Sequence, residues 1–227
     1  MRNFFIVMGL PRSGTTAVRT ALDSHSQITC EYEMFNENYN QREPWTNEQI
    51  DGIIAHLKTV DGLHHNYNLP RLEHRKKVWD FLRETTTHVV LVNRPNLLDV
   101  FKSAYFAKVY DQWHNWEGEV YNKNKKAVPD AVTIKASALK KFLREEWGSM
   151  YAPMLEEVKK FKSHIVVDYE EFTRYTGREL RRIQEYLDVP FERIIPQTKK
   201  FNRQTKITNI DELEEVYARH TLDTTIK

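Results

Sequence analysis

The sequence predicts an α/β fold of three layers, with helices on both faces of a central, mostly parallel five-stranded sheet. Three observations predict it. Short apolar runs of strand length alternate with longer stretches of helical periodicity along the chain. The first run, residues 4–8 (FFIVM), is apolar at five successive positions, as expected of a strand covered on both faces. That run passes through a glycine turn directly into a helical pattern, the unit from which parallel sheets are built.

With 227 residues the chain is long enough to bury a real core, and residues 1–227 are expected to form a single domain. Its 34 basic and 32 acidic residues leave a net charge of +2, which gives no case for a dedicated nucleic-acid binder. Cys30 is the only cysteine, which excludes an intrachain disulfide, and no Cys/His spacing points to structural zinc. No apolar run reaches the roughly 18–20 residues that span a bilayer. Arg2 before FFIVMGL superficially resembles a secretion signal, but the run leads straight into PRSGTT with no small-residue cleavage site. A cytoplasmic location is therefore expected.

The glycine turn between the first strand and the first helix carries the strongest chemical signal. Gly9 and Gly14 have the spacing of a phosphate-binding P-loop, G-x-x-x-x-G-K-[ST], except that Thr15 stands where the lysine should be. Nucleotide hydrolases and kinases use that lysine on the outer phosphates and the following hydroxyl on magnesium. Here the cation comes earlier, as Arg12, and an arginine beside hydroxyls can hold a sulfate or phosphate group without a metal. The helix that opens at Thr15 and Thr16 adds unpaired amides and the positive end of its dipole.

Further along, residues 27–32 (QITCEY) read as a second strand, with Glu31 and Glu33 at its carboxyl end. Ligands of open α/β sheets bind there, so one of these carboxylates is expected to face the turn and take a proton. Residues 36–45 look like a loop over a site. Thr46 and Gln49 form a capping box for a helix through Ile53, Ile54 and Leu57. Residues 62–67 (GLHHNY) fit a third strand, on which His64 and His65 face opposite ways. Pro70 opens a helix with Leu72, Val78, Trp79 and Leu82 as its apolar stripe.

Residues 88–92 (HVVLV) form the next inner strand, ending in Arg94 ahead of a helix that carries Ser103; together these two can grip a second anion. Residues 110–129 lack periodicity and are rich in Trp, Tyr, Asn and Lys, and Trp113, Trp116 and Tyr121 suit stacking on a sugar or a base. A long helix is expected over 136–161 with a break near Pro153. Residues 164–167 (HIVV) give the fifth strand, Leu180, Ile183 and Leu187 mark another helix, and a basic tail precedes a last amphipathic helix.

With these segments in hand, the chain resembles the sulfotransferases that use 3'-phosphoadenosine 5'-phosphosulfate (PAPS), most of all the bacterial and phage carbohydrate enzymes of the nodulation-factor type. GLPRSGTTAVRTALDSHSQITCEYE also resembles the protein-tyrosine sulfotransferases. NRPNLLDVFKSAY, VVDYEEF and KKFNRQTKITNIDEL are similar to later segments of the family, in the same order. The resemblance implies that Arg12, Ser13, Gly14, Thr15 and Thr16 hold the 5'-phosphosulfate, and that Arg94 and Ser103 hold the 3'-phosphate. Lys199, Lys200 and Arg203 would close over the nucleotide. Glu33 aligns with the general base of the tyrosine branch, with Glu31 as the fallback. His64 stands where relatives often carry a lysine, which makes it a catalytic candidate beside Glu33 and Arg12. The implied reaction is metal-independent transfer to an acceptor hydroxyl, with carbohydrate favoured and a peptide tyrosine or lipid hydroxyl as alternatives. The rival readings are a magnesium-dependent P-loop kinase, with Asp168 as a possible metal ligand, and a non-catalytic nucleotide or anion-binding module.

Overall fold

The structure, a computed structural model, describes residues 4–36, 45–67, 72–110, 114–116, 119–121, 129–194 and 205–225. In chain order the elements are β1 (Phe4–Gly9), α1 (Thr15–Asp23), β2 (Cys30–Glu31), α2 (Asn47–Leu57), β3 (Gly62–Asn66), α3 (Leu72–Thr85), β4 (Thr86–Asn93), α4 (Leu97–Tyr110), β5 (His114–Trp116) and β6 (Glu119–Tyr121). Then follow β7 (Ala131–Val132), α5 (Ala136–Lys141), a π-helical segment (Phe142–Trp147), α6 (Gly148–Val158), β8 (His164–Asp168), α7 (Tyr169–Arg174), α8 (Thr176–Tyr186), β9 (Lys206–Ile207) and α9 (Ile210–Thr225). The chain divides into two compact units, residues 1–95 with 152–197 and residues 96–151 with 198–227.

The first unit holds the sheet, in the order β2-β3-β1-β4-β8. Every pairing in it is parallel. β1 lies at the centre and is buried along its whole length, which is why its sequence is apolar without alternation. One face of the sheet presents Phe5, Val7, Val90 and Val92 to Val18, Ala21 and Leu22 of α1 and to Leu180 and Ile183 of α8. The other face meets α3, where Phe81 packs on Phe4 at 6.2 Å between ring centres and Trp79 on His65 at 5.2 Å. The predicted three-layer arrangement of a five-stranded parallel sheet between helices is therefore what the chain forms.

In the second unit, the hydroxyl of Tyr217 on α9 accepts a hydrogen bond from Leu97 N at the start of α4 (3.3 Å). Phe101 of α4 packs on Phe142 at 5.5 Å. β7 and β9 form a short parallel pair, and β5 and β6 an antiparallel one. No described helix is long and apolar enough to cross a membrane.

Three local expectations need correction. Residues 27–32 yield only the two-residue strand β2, because the stretch before it turns: Ile28 N bonds His25 O and Gln27 N bonds His25 Nδ1. The long helix over 136–161 is interrupted upstream of Pro153, which lies inside α6. The interruption is the π-helical segment, where Gly148 N reaches back five residues to Leu143 O. That wider turn brings residues five apart onto one side, and the buried rings of Phe142 and Trp147 meet at 6.2 Å. Finally, the stretch over 110–129 contains the β5–β6 pair rather than being irregular throughout its described residues.

Candidate active site

Beyond the carboxyl end of β1, Ser13 N bonds Leu10 O at 3.1 Å and closes a turn with Pro11 in its second position. Arg12, in the third, has φ 72°, the left-handed conformation that a type II turn demands and that glycine usually supplies. Gly14 follows at φ 99° and caps α1 with no side-chain hydrogen bond, so the first amides of the helix have no side-chain partner at the cap. The Ser13 hydroxyl is buried at 1% exposure and has no hydrogen-bond partner among the described residues. A methyl on Gly9 would come within 2.4 Å of Ser13 Oγ and 2.8 Å of Val92 O, so only glycine lets the loop fold back this closely. An arginine, an unsatisfied hydroxyl and an uncapped helix start together make an anion cradle.

A second layer covers this cradle. Tyr169, at the start of α7, lies with its ring against Gly14, where an added Cβ would be 2.0 Å from Tyr169 Cδ2. Arg94, just past β4, stacks on that ring at 4.8 Å. Its Nη1 donates to Arg12 O and its Nε to Glu170 Oε1, both at 3.2 Å. Burial pushes the Tyr169 phenol above its ordinary value, with the charge of Arg94 pulling the other way. Arg94 thus ties the two loops together and keeps a cation beside the cradle.

The two candidate glutamates occupy different places. Glu31 is paired with Leu63 in register, near the start of β3, and His56 Nε2 of α2 donates to its carboxylate at 2.8 Å. Glu33 lies two residues further, roughly 6–7 Å of strand-like rise, where β3 ends in Asn66 opposite Gly9. There Glu33 is buried, and both its oxygens are held. Asn36 Nδ2 donates to Oε2 at 2.5 Å and Asn66 Nδ2 donates to Oε1. Burial raises its pKa above the ordinary carboxylate value; the two amide hydrogen bonds and the charge of Arg12 pull part of the way back.

His64 and His65 point to opposite faces of the sheet, as expected. His64, at 0% exposure, packs edge-on against Tyr32 and stands 3.6 Å from Glu33 Oε1. His65 packs between Phe35 and Trp79. The structure therefore brings Arg12, Ser13, Gly14, Thr15, Thr16, Glu33, His64 and Arg94 into one unit at the carboxyl side of the sheet. Ser103 sits on α4 in the other unit. Lys199, Lys200 and Arg203, and the side chains of Trp113, Trp116 and Tyr121, lie outside the described residues. Asp168 accepts a hydrogen bond from Asn93 at 3.1 Å, and no cluster of three or more potential metal ligands occurs among the described residues.

Three residues of this site escape a reading by motif: Asn36, Asn66 and Tyr169. Asn66 ends a strand that is legible in the sequence, and strand ends are where ligands bind, so its position was available as a signal. Asn36 had no comparable signal, because nothing in the spacing says that the chain after β2 turns back on Glu33. Tyr169 lies in the segment VVDYEEF, but its packing on Gly14 depends on β8 and β1 sharing a sheet.

Comparison with known proteins bears on the fold and the family. Residues 4–102 match the model of the sulfotransferase family. In an alignment of 230 positions that covers 92% of this chain, the sequence is 22% identical to protein-tyrosine sulfotransferase A of Caenorhabditis elegans, and the match spans only 56% of that protein's length. Among solved structures, a sulfotransferase from Alicyclobacillus acidocaldarius superposes with a TM-score of 0.53 at 16% identity, covering 98% of this chain and 93% of the other. A mouse sulfotransferase in complex with PAP gives the same TM-score at 17% identity, covering 85% of this chain and 59% of the other.

Proposed function

We propose that the protein, whose residues 4–102 match the sulfotransferase family model on a fold shared with a solved sulfotransferase, acts as one domain as a PAPS-dependent sulfotransferase. The observation that carries the reading is the pairing of a cradle that has Arg12 but no P-loop lysine with a buried carboxylate at the same sheet edge. The residues present fit an anionic donor: the Ser13 hydroxyl, which has no partner among the described residues, the start of α1 without a side-chain cap and the glycine-dependent fold of the loop all favour a bound oxyanion.

When bound, PAPS supplies a sulfuryl group on a nucleotide phosphate leaving group. Arg12, Ser13, Gly14, Thr15 and Thr16 hold the phosphosulfate, and Arg12 with the helix amides meets the charge that develops as the bond breaks. Arg94 would take the 3'-phosphate, and Ser103, Lys199, Lys200 and Arg203 keep the nucleotide-binding roles that the resemblance implies. Glu33 accepts the proton of the attacking hydroxyl. A carboxylate whose pKa is raised by burial is a stronger base than one in water, and the activity then falls as the pH drops through its titration. His64, whose Nε2 stands 3.6 Å from Glu33 Oε1, is the further catalytic candidate beside it. Sulfuryl carries less charge than phosphoryl, so the reaction needs no metal.

The acceptor proposed is a carbohydrate hydroxyl, from the aromatic segment over residues 110–129. The name of the Caenorhabditis elegans relative favours a second reading, a peptide tyrosine. Sulfate transfer to oligosaccharides and to tyrosine peptides, measured side by side, separates the two.

The first test is calorimetric titration in EDTA with 3'-phosphoadenosine 5'-phosphate, against ADP and ATP, on the wild type and Arg94→Ala. Metal-free binding that prefers the 3'-phosphate, and that weakens in the variant, supports the donor. A preference for ATP that needs magnesium reopens the kinase reading, and binding without turnover on either acceptor class favours the non-catalytic module. For the chemistry, Glu33→Gln is expected to lose roughly 100-fold or more in kcat while still binding the nucleotide. Near-normal turnover removes Glu33 from the role.

A further inference from the structure

We infer that Asn36 and Asn66 are positioning residues for the reaction, a pair of carboxamides that fixes both oxygens of Glu33 and holds it in the ionised, proton-accepting form. The inference rests on Glu33 being the base in the function proposed above.

The geometry is specific. Asn66 is the last residue of β3, set opposite Gly9 by the strand register, so its side chain leaves the sheet at the level where the phosphate turn begins. Its Nδ2 donates to Oε1 of Glu33. Asn36 approaches from the other side, and a backbone bond from its own N to Glu33 O at 2.8 Å closes a tight turn that places its Nδ2 2.5 Å from Oε2. All three side chains are buried. An ionised carboxylate accepts hydrogen bonds and donates none, so both amides must turn their nitrogens towards it. Reversing either one would set a carbonyl oxygen against the carboxylate.

Such a clamp does two things a general base requires. It fixes the direction of the lone pairs left on each oxygen, so that an incoming hydroxyl meets them in one orientation. It also opposes desolvation. A carboxylate out of water drifts towards its protonated form, which cannot accept a proton, and hydrogen bonds to the charged form work against that drift. Carboxamides suit the task better than a lysine or a second arginine would. A neutral donor stabilises the anion without the full charge that would push the pKa far down and blunt its basicity. Among the described residues, the charged and titratable groups that face the carboxylate are Arg12, from the phosphate turn, and His64, whose Nε2 lies 3.6 Å from Oε1. Arg12 would be engaged by the donor in the loaded enzyme, which leaves the amides as the donors dedicated to Glu33.

The experiment compares wild type, Asn66→Ala, Asn66→Ser, Asn36→Ala and Glu33→Gln. The carboxyl carbon of Glu33 is followed by NMR in the free, isotopically labelled protein as pH is varied. This readout needs neither donor nor acceptor. In parallel, kcat is measured against pH, and the affinity for 3'-phosphoadenosine 5'-phosphate is measured by calorimetry. In Asn66→Ala the Glu33 titration is expected to move to higher pH and the acid limb of kcat to move with it. The loss at neutral pH should be roughly tenfold or more, the size expected for a hydrogen bond to a charged group, and part of it should return at alkaline pH. Nucleotide affinity should stay within about twofold, since neither amide is assigned to the cradle. Asn66→Ser, which keeps a donor, should recover part of the loss and guards against a variant that fails to fold. A Glu33 titration that does not move in Asn66→Ala or Asn36→Ala, beside an inactive Glu33→Gln, overturns the clamp alone. A normal kcat in Glu33→Gln overturns the base, and with it the catalytic purpose of the clamp.

Discussion

Two helices, α1 and α2, follow strands of one sheet, α1 after β1 and α2 after β2, and they treat their first amides in opposite ways. At the start of α2, Thr46 Oγ1 accepts from Gln49 N at 3.3 Å, while Thr46 N donates to Gln49 Oε1 at 2.8 Å. This reciprocal pair satisfies orphan donors within the chain itself. At the start of α1 the cap is Gly14, which has no side chain to offer, and the preceding hydroxyl of Ser13 is buried without a partner among the described residues. A helix that spends its amides on its own cap is an anchoring element. One that leaves them without a side-chain partner beside Arg12 is open to an anion, the role proposed for it above. The cost is visible in the backbone, since Arg12 and Gly14 both hold positive φ in the turn before α1.

The contrast is broken most directly at Gly14. Alanine there must adopt φ near 99° and place its Cβ against the Tyr169 ring. The backbone alone costs about 1–3 kcal/mol, and the displaced ring loosens its contact with Arg94. Gly14→Ala is expected to lower the unfolding midpoint in urea and to weaken binding of 3'-phosphoadenosine 5'-phosphate by roughly tenfold or more, the worth of one charge-assisted hydrogen bond. Unchanged affinity would mean that the start of α1 does not meet the anion. A pair of variants at Arg12 then separates charge from strain. Arg12→Ala and Arg12→Gly remove the same guanidinium and should weaken nucleotide binding equally. Arg12→Gly, however, also relieves the left-handed backbone, at about 1–2 kcal/mol for a residue with a Cβ, less the extra chain entropy of glycine. The glycine variant should therefore unfold at higher urea than the alanine variant, and equal midpoints would show that the turn is not strained.

Much of this contrast was legible in the sequence. The P-loop spacing with threonine in place of lysine locates the cradle, and Thr46 with Gln49 announces the capping box, because both are local patterns whose meaning depends on residues a few positions apart. β1 and β4 were legible for the same reason, since continuous apolar runs of strand length report burial on both faces. Where the reading fell short, the deciding contact was distant along the chain. Glu31 and Glu33 differ in place because β2 ends at Glu31 and the chain turns from Glu33, whose carbonyl accepts from Asn36 N. Asn66 serves Glu33 across 33 positions and Tyr169 covers a glycine over 150 positions earlier. The π-helical segment depends on two aromatic rings seeking one side of a helix, a packing preference that periodicity at 3.6 residues per turn does not register.

The smallest effect lies at the satisfied helix and is the sharpest control. Thr46→Ala removes the side-chain acceptor for Gln49 N, leaving one first-turn amide to water, because Thr46 is exposed. The expected cost is about 1 kcal/mol, read as a lower urea midpoint with an unchanged slope. Thr46→Gly should cost only a few tenths of that scale, since glycine tolerates the cap geometry. In both variants the affinity for 3'-phosphoadenosine 5'-phosphate should match the wild type, because the amides of α2 are turned to their own cap and have no part in the cradle. If Thr46→Ala weakened binding as Gly14→Ala is expected to, the two helix starts would be parts of one anion site. The division of labour between a spent and an unspent N-terminus would then be wrong.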